Sequence, residues 1–179
     1  MPKNVRTVKV LKVPEKVKLE YKDGNLKVTG PKGSLSRSFS NPKISIEVTP
    51  KEIRISADLP NRKEYALVGT FEAHIKNMLL GVTNGYVYKM KIVYSHFPIK
   101  VTVKGTKFHI ENFLGEKFPR YADISPEAKV EVSGDQVTVS GIDLERVSQT
   151  AANIEKATVI RNYDPRVFQD GIYIINKGD

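Results

Sequence analysis

The 179-residue sequence contains no cysteine. That excludes a disulfide framework, a zinc–thiolate site and a dithiol redox motif, and it fits a reducing compartment. No apolar run approaches the roughly 20 residues needed to span a bilayer, and the N-terminus lacks the apolar core of a secretory signal. A soluble, intracellular protein with no membrane partner is expected. Histidine is scarce, with three in the chain, and none has a second ligand or base at motif spacing. His74, His96 and His109 are therefore read as structural or surface residues. No Gly-x-Ser-x-Gly elbow occurs, and acids such as Asp164 and Asp170 stand isolated among cations, which suits loop hydrogen bonding. The sequence holds no catalytic constellation and implies no enzyme activity, cofactor, metal or small-molecule substrate.

Basic charge is plentiful. Lys and Arg number 29 against 20 Asp and Glu, a formal net charge of +9. Such an excess favours a polyanionic partner, above all nucleic acid. Residues 1–90 hold 17 cations against 8 acids, whereas residues 91–179 hold 12 of each. Lys3, Arg6, Lys9, Lys12, Lys16 and Lys18 face a single early acid, Glu15, so residues 1–12 read as a basic arm.

The chain describes one unit twice, over 17–93 and 99–175. Val17 aligns with Ile99, Val28 with Ile110 and Gly33 with Gly115, each 82 residues on. Each half shows alternating hairpins, as in VKLEY and LKV around Asp23–Gly24, and in IKVTV and FHI around Lys104–Gly105. Each half then has one helix. Val68, Phe71, Ile75 and Met78 recur at helical spacing between Arg62 and Leu80, with Gly81 as the expected stop. Leu144, Val147, Ala151 and Ile154 repeat that spacing after Asp143, a natural N-cap. Tyr86–Val93 reads as the strand closing the first half, its Tyr86, Tyr88, Met90 and Ile92 stripe facing a core. The expected fold class is α+β: two tandem duplicated domains, each an antiparallel β-sheet with one main α-helix on one face. The boundary is placed in YSHFP, giving domains at 13–94 and 95–179, the latter expected to bind RNA.

Gly30-Pro31-Lys32-Gly33-Ser34 looks superficially like a phosphate loop, but no helix follows it. It reads as a turn whose Lys32 and nearby Arg37 can touch a phosphate backbone. The tail is richer. Arg161, Asn162, Tyr163, Arg166, Gln169 and Lys177 crowd into an irregular segment punctuated by Pro165 and Gly171, residue types suited to phosphate, 2′-hydroxyl and base contacts.

Six strings in order then carry a resemblance over nearly the whole chain: GPKGSLSRSF (30–39), NMLLGVTNGY (77–86), YSHFPI (94–99), NFLGEK (112–117), QTAANI (149–154) and QDGIY (169–173). Together they resemble the large-subunit ribosomal protein L-six family in its archaeal and eukaryotic branch. The resemblance implies a cytoplasmic protein of the large ribosomal subunit, structural in role, bound to large-subunit rRNA mainly through its C-terminal domain. The site it implies lies beside the sarcin–ricin loop and the base of the factor-binding stalk, with neighbouring ribosomal proteins there as partners. Carried onto this chain, the contacts implied are Arg161, Asn162, Tyr163, Arg166, Gly171, Tyr173 and Lys177, with Gln149 and Asn153 on the helix and Lys117 in NFLGEK. Read from charge alone, the alternative is a free-standing basic RNA-binding or chaperone protein.

Overall fold

A computed structural model describes residues 7–58, 60–164 and 166–178. The chain divides into two compact units, 1–85 and 86–179.

In the first unit, β1 (Thr7–Lys12), β6 (Glu52–Ala57) and β5 (Ile44–Val48) form one antiparallel sheet in the order β1-β6-β5. A second sheet is the meander β2 (Lys18–Lys22), β3 (Asn25–Gly30) and β4 (Gly33–Ser38). The β2–β3 hairpin turns on Asp23 and Gly24, both at positive φ, as a two-residue turn matched to strand twist requires. Helix α1 (Arg62–Thr83) packs on both sheets and buries Val68, Phe71, Ile75 and Met78 against Leu26, Val28, Ile53 and Ile55. It starts at Asn61, whose backbone N–H donates to Glu64 Oε2 at 2.8 Å. Hydrogen bonding from Lys43, then from the Asn61 backbone, holds the Glu64 carboxyl below its ordinary value.

Two sequence expectations change here. The helix passes through Gly81, which is buried, and stops at Asn84 and Gly85, the latter at φ +71°. A glycine ends a helix where it takes the left-handed conformation, and only Gly85 does so. The basic arm differs as well: its first six residues lie outside the described residues, and the next six are β1, with Lys9 paired to Glu72 of α1 at 3.3 Å.

The second unit opens with β7 (Tyr86–Val93), which lies between β12 (Gln136–Gly141) and β13 (Gly171–Lys177) in the sheet β11-β12-β7-β13, β11 being Lys129–Ser133. The strand expected to close the first unit thus opens the second, and the division falls at 85/86 rather than in YSHFP. Alternation shows that a strand is half-buried but not which sheet it joins. The duplication accordingly starts one strand earlier, since β1 pairs with β6 as β7 pairs with β12. The Tyr86, Tyr88, Met90 and Ile92 stripe is core, as expected, and burial raises the Tyr86 phenol above its usual range. β8 (Lys100–Lys104), β9 (Lys107–Glu111) and β10 (Arg120–Asp123) form the second meander. Helix α2 (Leu144–Ala157) begins where Asp143 accepts from the Glu145 backbone N–H, and it buries Val147, Thr150, Ala151 and Ile154 over both sheets. The fold class stands as α+β with two repeats, each unit dividing its strands between two small sheets.

Candidate nucleic-acid interface

Helix α2 and β13 are joined by an irregular segment, residues 158–170, that carries most of the tail residues singled out in the sequence. Its two ends are fixed by residues outside it. At the start, the Arg120 guanidinium donates through Nη1 to the carbonyls of Ala157 at 3.0 Å and Val159 at 3.1 Å. The Ala157 carbonyl is one that a helix C-terminus leaves without an intrahelical partner, and Val159 lies two residues beyond the helix. The same guanidinium grips Glu116 with two bonds of 2.8 and 2.6 Å and lies 4.3 Å from the Phe113 ring centroid. The Arg120 hydrogen bond keeps the Glu116 carboxyl below its ordinary value. At the far end, buried Asp170 accepts from the Ser95 backbone N–H at 3.1 Å. Thr158 links the two ends, its hydroxyl accepting from Ile172 N–H at 3.0 Å.

Between these anchors Asp164 organises the turn. Its carboxylate accepts from Arg166 N–H at 2.9 Å, and its carbonyl accepts from Phe168 N–H at 3.0 Å. Tyr163 lies on Phe168 with ring centroids 4.9 Å apart, and Phe168 meets His96 at 6.3 Å. The aromatic row stiffens the loop, and Asn162 at φ +65° bends it. Arg161, Asn162, Tyr163 and Arg166 are all exposed on this frame. Asp164 is the one acid in 159–169, and its carboxylate is engaged by the backbone.

The other expected contacts divide. Tyr173 and Lys177 are exposed on β13, and the Tyr173 hydroxyl donates to Gln169 O at 3.3 Å. Gly171 is buried, and the structure gives it an intramolecular reason: a Cβ there would stand 2.9 Å from the Tyr173 ring. The glycine thus gives the Tyr173 ring room to lie against the backbone at the start of β13. Gln149 is exposed and donates to Asn153 Oδ1 at 2.8 Å, while Asn153 donates to Asp123 O at 2.9 Å and so ties α2 to β10. Lys117 is exposed beside Phe118, which is 84% exposed.

Lys32 and Arg37 belong to the first unit and are engaged within it. Lys32 donates to the Asn84 carbonyl at the end of α1, and Arg37 Nη1 lies 2.9 Å from His74 Nδ1. The glycine ahead of Lys32 serves packing: a Cβ on Gly30 would stand 2.8 Å from the Val82 carbonyl oxygen, and Lys32 N–H donates to that oxygen at 3.1 Å. The resemblance to a phosphate loop thus reflects a strand turning tightly against a helix end.

Sequence reasoning missed Arg120, Phe168 and the anchoring role of Asp170. The only trace of the first was its spacing of four from Glu116, which means little outside a helix.

Comparison with known proteins follows the duplication. The family model described as Ribosomal protein L6 matches twice, over residues 13–85 and 97–171, leaving the whole of β7 between the two matches. The chain is 51% identical to the large ribosomal subunit protein uL6 of Ignicoccus hospitalis, covering 97% of this chain and 96% of that protein. It is 48% identical to uL6 of Methanosarcina mazei, over 94% of this chain and 96% of the relative. It is also 48% identical to uL6 of Archaeoglobus fulgidus, over 94% and 89%. Two matched repeats and near-complete coverage at about half identity place the chain: it belongs to the ribosomal protein L6 family.

Proposed function

We propose that this chain braces large-subunit rRNA beside the sarcin–ricin loop and the base of the factor-binding stalk, holding RNA with the loop between α2 and β13. The coarser part of that function follows from the family: a structural, non-catalytic constituent of the large ribosomal subunit, with ribosomal RNA and ribosomal proteins as partners. The single observation that carries the finer part is the loop itself. It exposes Arg161, Tyr163 and Arg166 together, its two acids Asp164 and Asp170 each accept a backbone N–H, and both its ends are pinned. Two guanidiniums offer bidentate contacts to phosphate, and Tyr163 offers a ring and a hydroxyl to base or ribose. A preformed loop meets RNA without paying for its ordering at the moment of binding.

The domain is neutral overall, yet the loop is locally cationic, which suffices for contacts at hydrogen-bond range. Filter binding of the Arg161→Ala/Arg166→Ala variant to large-subunit rRNA tests the assignment. Affinity should fall and the salt slope should drop by about two, one for each phosphate contact removed. Wild-type affinity and slope would refute it. The rival reading, a free-standing binder acting through its basic terminus, rests on the cation excess of residues 1–90. Its test is deletion of residues 1–6, since a longer cut removes β1 from its sheet.

A further inference from the structure

The two copies of the hairpin meander keep the same core and differ on the outside. In β3 the buried residues are Leu26 and Val28; in β9 they are Phe108 and Ile110. On the opposite face the first unit sets Lys22 across from Asn25 and Lys27 across from Ser36. The second unit sets Lys104 across from Lys107 and His109 across from Tyr121 at the corresponding places. The fold is built in the first unit without these residues, so packing does not explain them.

Two features of this face point to a ligand. Lys104 and Lys107 share the sheet's outer surface directly opposite each other beside the Gly105 turn, an arrangement that costs stability unless an anion sits between them. Asp123 flanks Lys107 in the next strand, yet the Lys107 ammonium is directed over the Tyr121 ring, 5.9 Å from its centroid. Tyr121 itself is 52% exposed in mid-strand, held upright by His109 edge to face at 4.7 Å and 84°. An aromatic ring standing open on a sheet beside paired cations matches the needs of a nucleotide: a π-face for the base and ammonium groups for its phosphate.

We infer that the outer face of the β8–β9–β10 sheet is a second RNA contact, taking one unpaired nucleotide with its phosphate at Lys104 and Lys107 and its base on Tyr121. This rests on the rRNA-binding reading above and adds a base-stacking contact to the phosphate contacts of the α2–β13 loop. Thr102, in the same row as His109 and Tyr121, places a hydroxyl within the surface that a ribose would cover.

The test is filter binding of the full-length protein to large-subunit rRNA across a salt series, with Tyr121→Ala, Tyr121→Phe, Lys104→Ser/Lys107→Ser and, as reference, Arg161→Ala/Arg166→Ala. Stacking predicts that Tyr121→Ala weakens binding about tenfold with an unchanged salt slope and that Tyr121→Phe binds as wild type. The double lysine variant should lose about two from the slope. Ultraviolet crosslinking of the wild-type complex should leave a nucleotide on the peptide that contains Tyr121. If the wild type and the arginine variant behave as proposed for the loop while the Tyr121 and lysine variants bind like wild type, this face is overturned and the loop reading stands. If the wild type does not bind rRNA, both fall. Circular dichroism melts check folding, and the two lysines, exposed on the hairpin, give a readout independent of any packing lost with Tyr121.

Discussion

Replacing Arg120 with Ala should both destabilise the second unit and weaken rRNA binding, although Arg120 is not itself one of the proposed RNA contacts. The guanidinium supplies two bonds to carbonyls at the end of α2, two to Glu116 and a stacking contact with Phe113. Each carbonyl bond contributes about 1 kcal/mol net, with the donor's charge favouring the upper end. The cation–π contact adds about 0.5–1 kcal/mol. The Glu116 pair is partly exposed and adds less than about 1 kcal/mol. Because one side chain makes all of them, the effects are coupled, and a loss of about 3 kcal/mol is expected. For a unit of this size that corresponds to a fall in Tm of about 12 °C or more. Thermal and urea denaturation followed by circular dichroism measure the loss. Arg120→Lys should recover only part of it, because an ammonium cannot reach carboxylate, carbonyl and ring together. A loss below about 1 kcal/mol, or rRNA affinity unchanged in a variant that has lost stability, would refute the view that Arg120 positions the loop.

Gly30→Ala should lower the urea midpoint of the first unit by an amount equivalent to about 1–3 kcal/mol, because the new Cβ meets a backbone oxygen of Val82 that cannot swing aside; an unchanged midpoint would contradict the close approach. Asp170→Ala removes the acceptor for Ser95 N–H and should cost about 1–3 kcal/mol, whereas Asp170→Asn, which keeps an acceptor, should cost less. Equal losses would show that the hydrogen bond is not what anchors the loop. The Glu116 carboxyl is depressed in the folded state, so its contribution is present above its unfolded value and is lost as pH falls through the folded value. Urea midpoints of the wild type should therefore drop on acidification below about pH 4.5, with half-buried Glu64, held down by Lys43, adding to the same limb. Glu116→Gln should flatten part of that drop, and an identical acid limb would contradict the pairing.

The sequence carried the elements well and their partnership less well. Helices α1 and α2 were legible because four apolar residues in each recur at helical spacing, and Asp143 marked a start that its hydrogen bond to Glu145 explains. Gly81 reads as the end of α1 because composition identifies a glycine but not its φ, and of Gly81 and Gly85 only the latter lies in the left-handed region. Strand β7 was read as a strand but joined to the wrong unit, since its alternation is satisfied equally by either core. The repeat was seen, yet one strand out of phase, because β1 carries lysines in place of a clear apolar face and reads as an arm. At the candidate site, the exposed cations and Tyr163 were readable as residue types. What holds them is not: Arg120 bonds Ala157 across 37 residues of sequence and Ser95 bonds Asp170 across 75, and no local pattern encodes such contacts. Gly171 shows a related limit, since nothing near it in sequence announces that the Tyr173 ring lies against its backbone.

A salt titration separates shape-specific recognition of rRNA by a preformed basic loop from general phosphate binding. Purified protein is titrated against large-subunit rRNA fragments from the factor-binding region, with an unrelated structured RNA as control. The protein should prefer the rRNA fragment, and that preference should persist at high salt, as expected of a loop that recognises RNA by geometry as well as by charge. Similar affinities for both RNAs, falling together as salt rises, would contradict it and leave only non-specific phosphate binding by a basic protein.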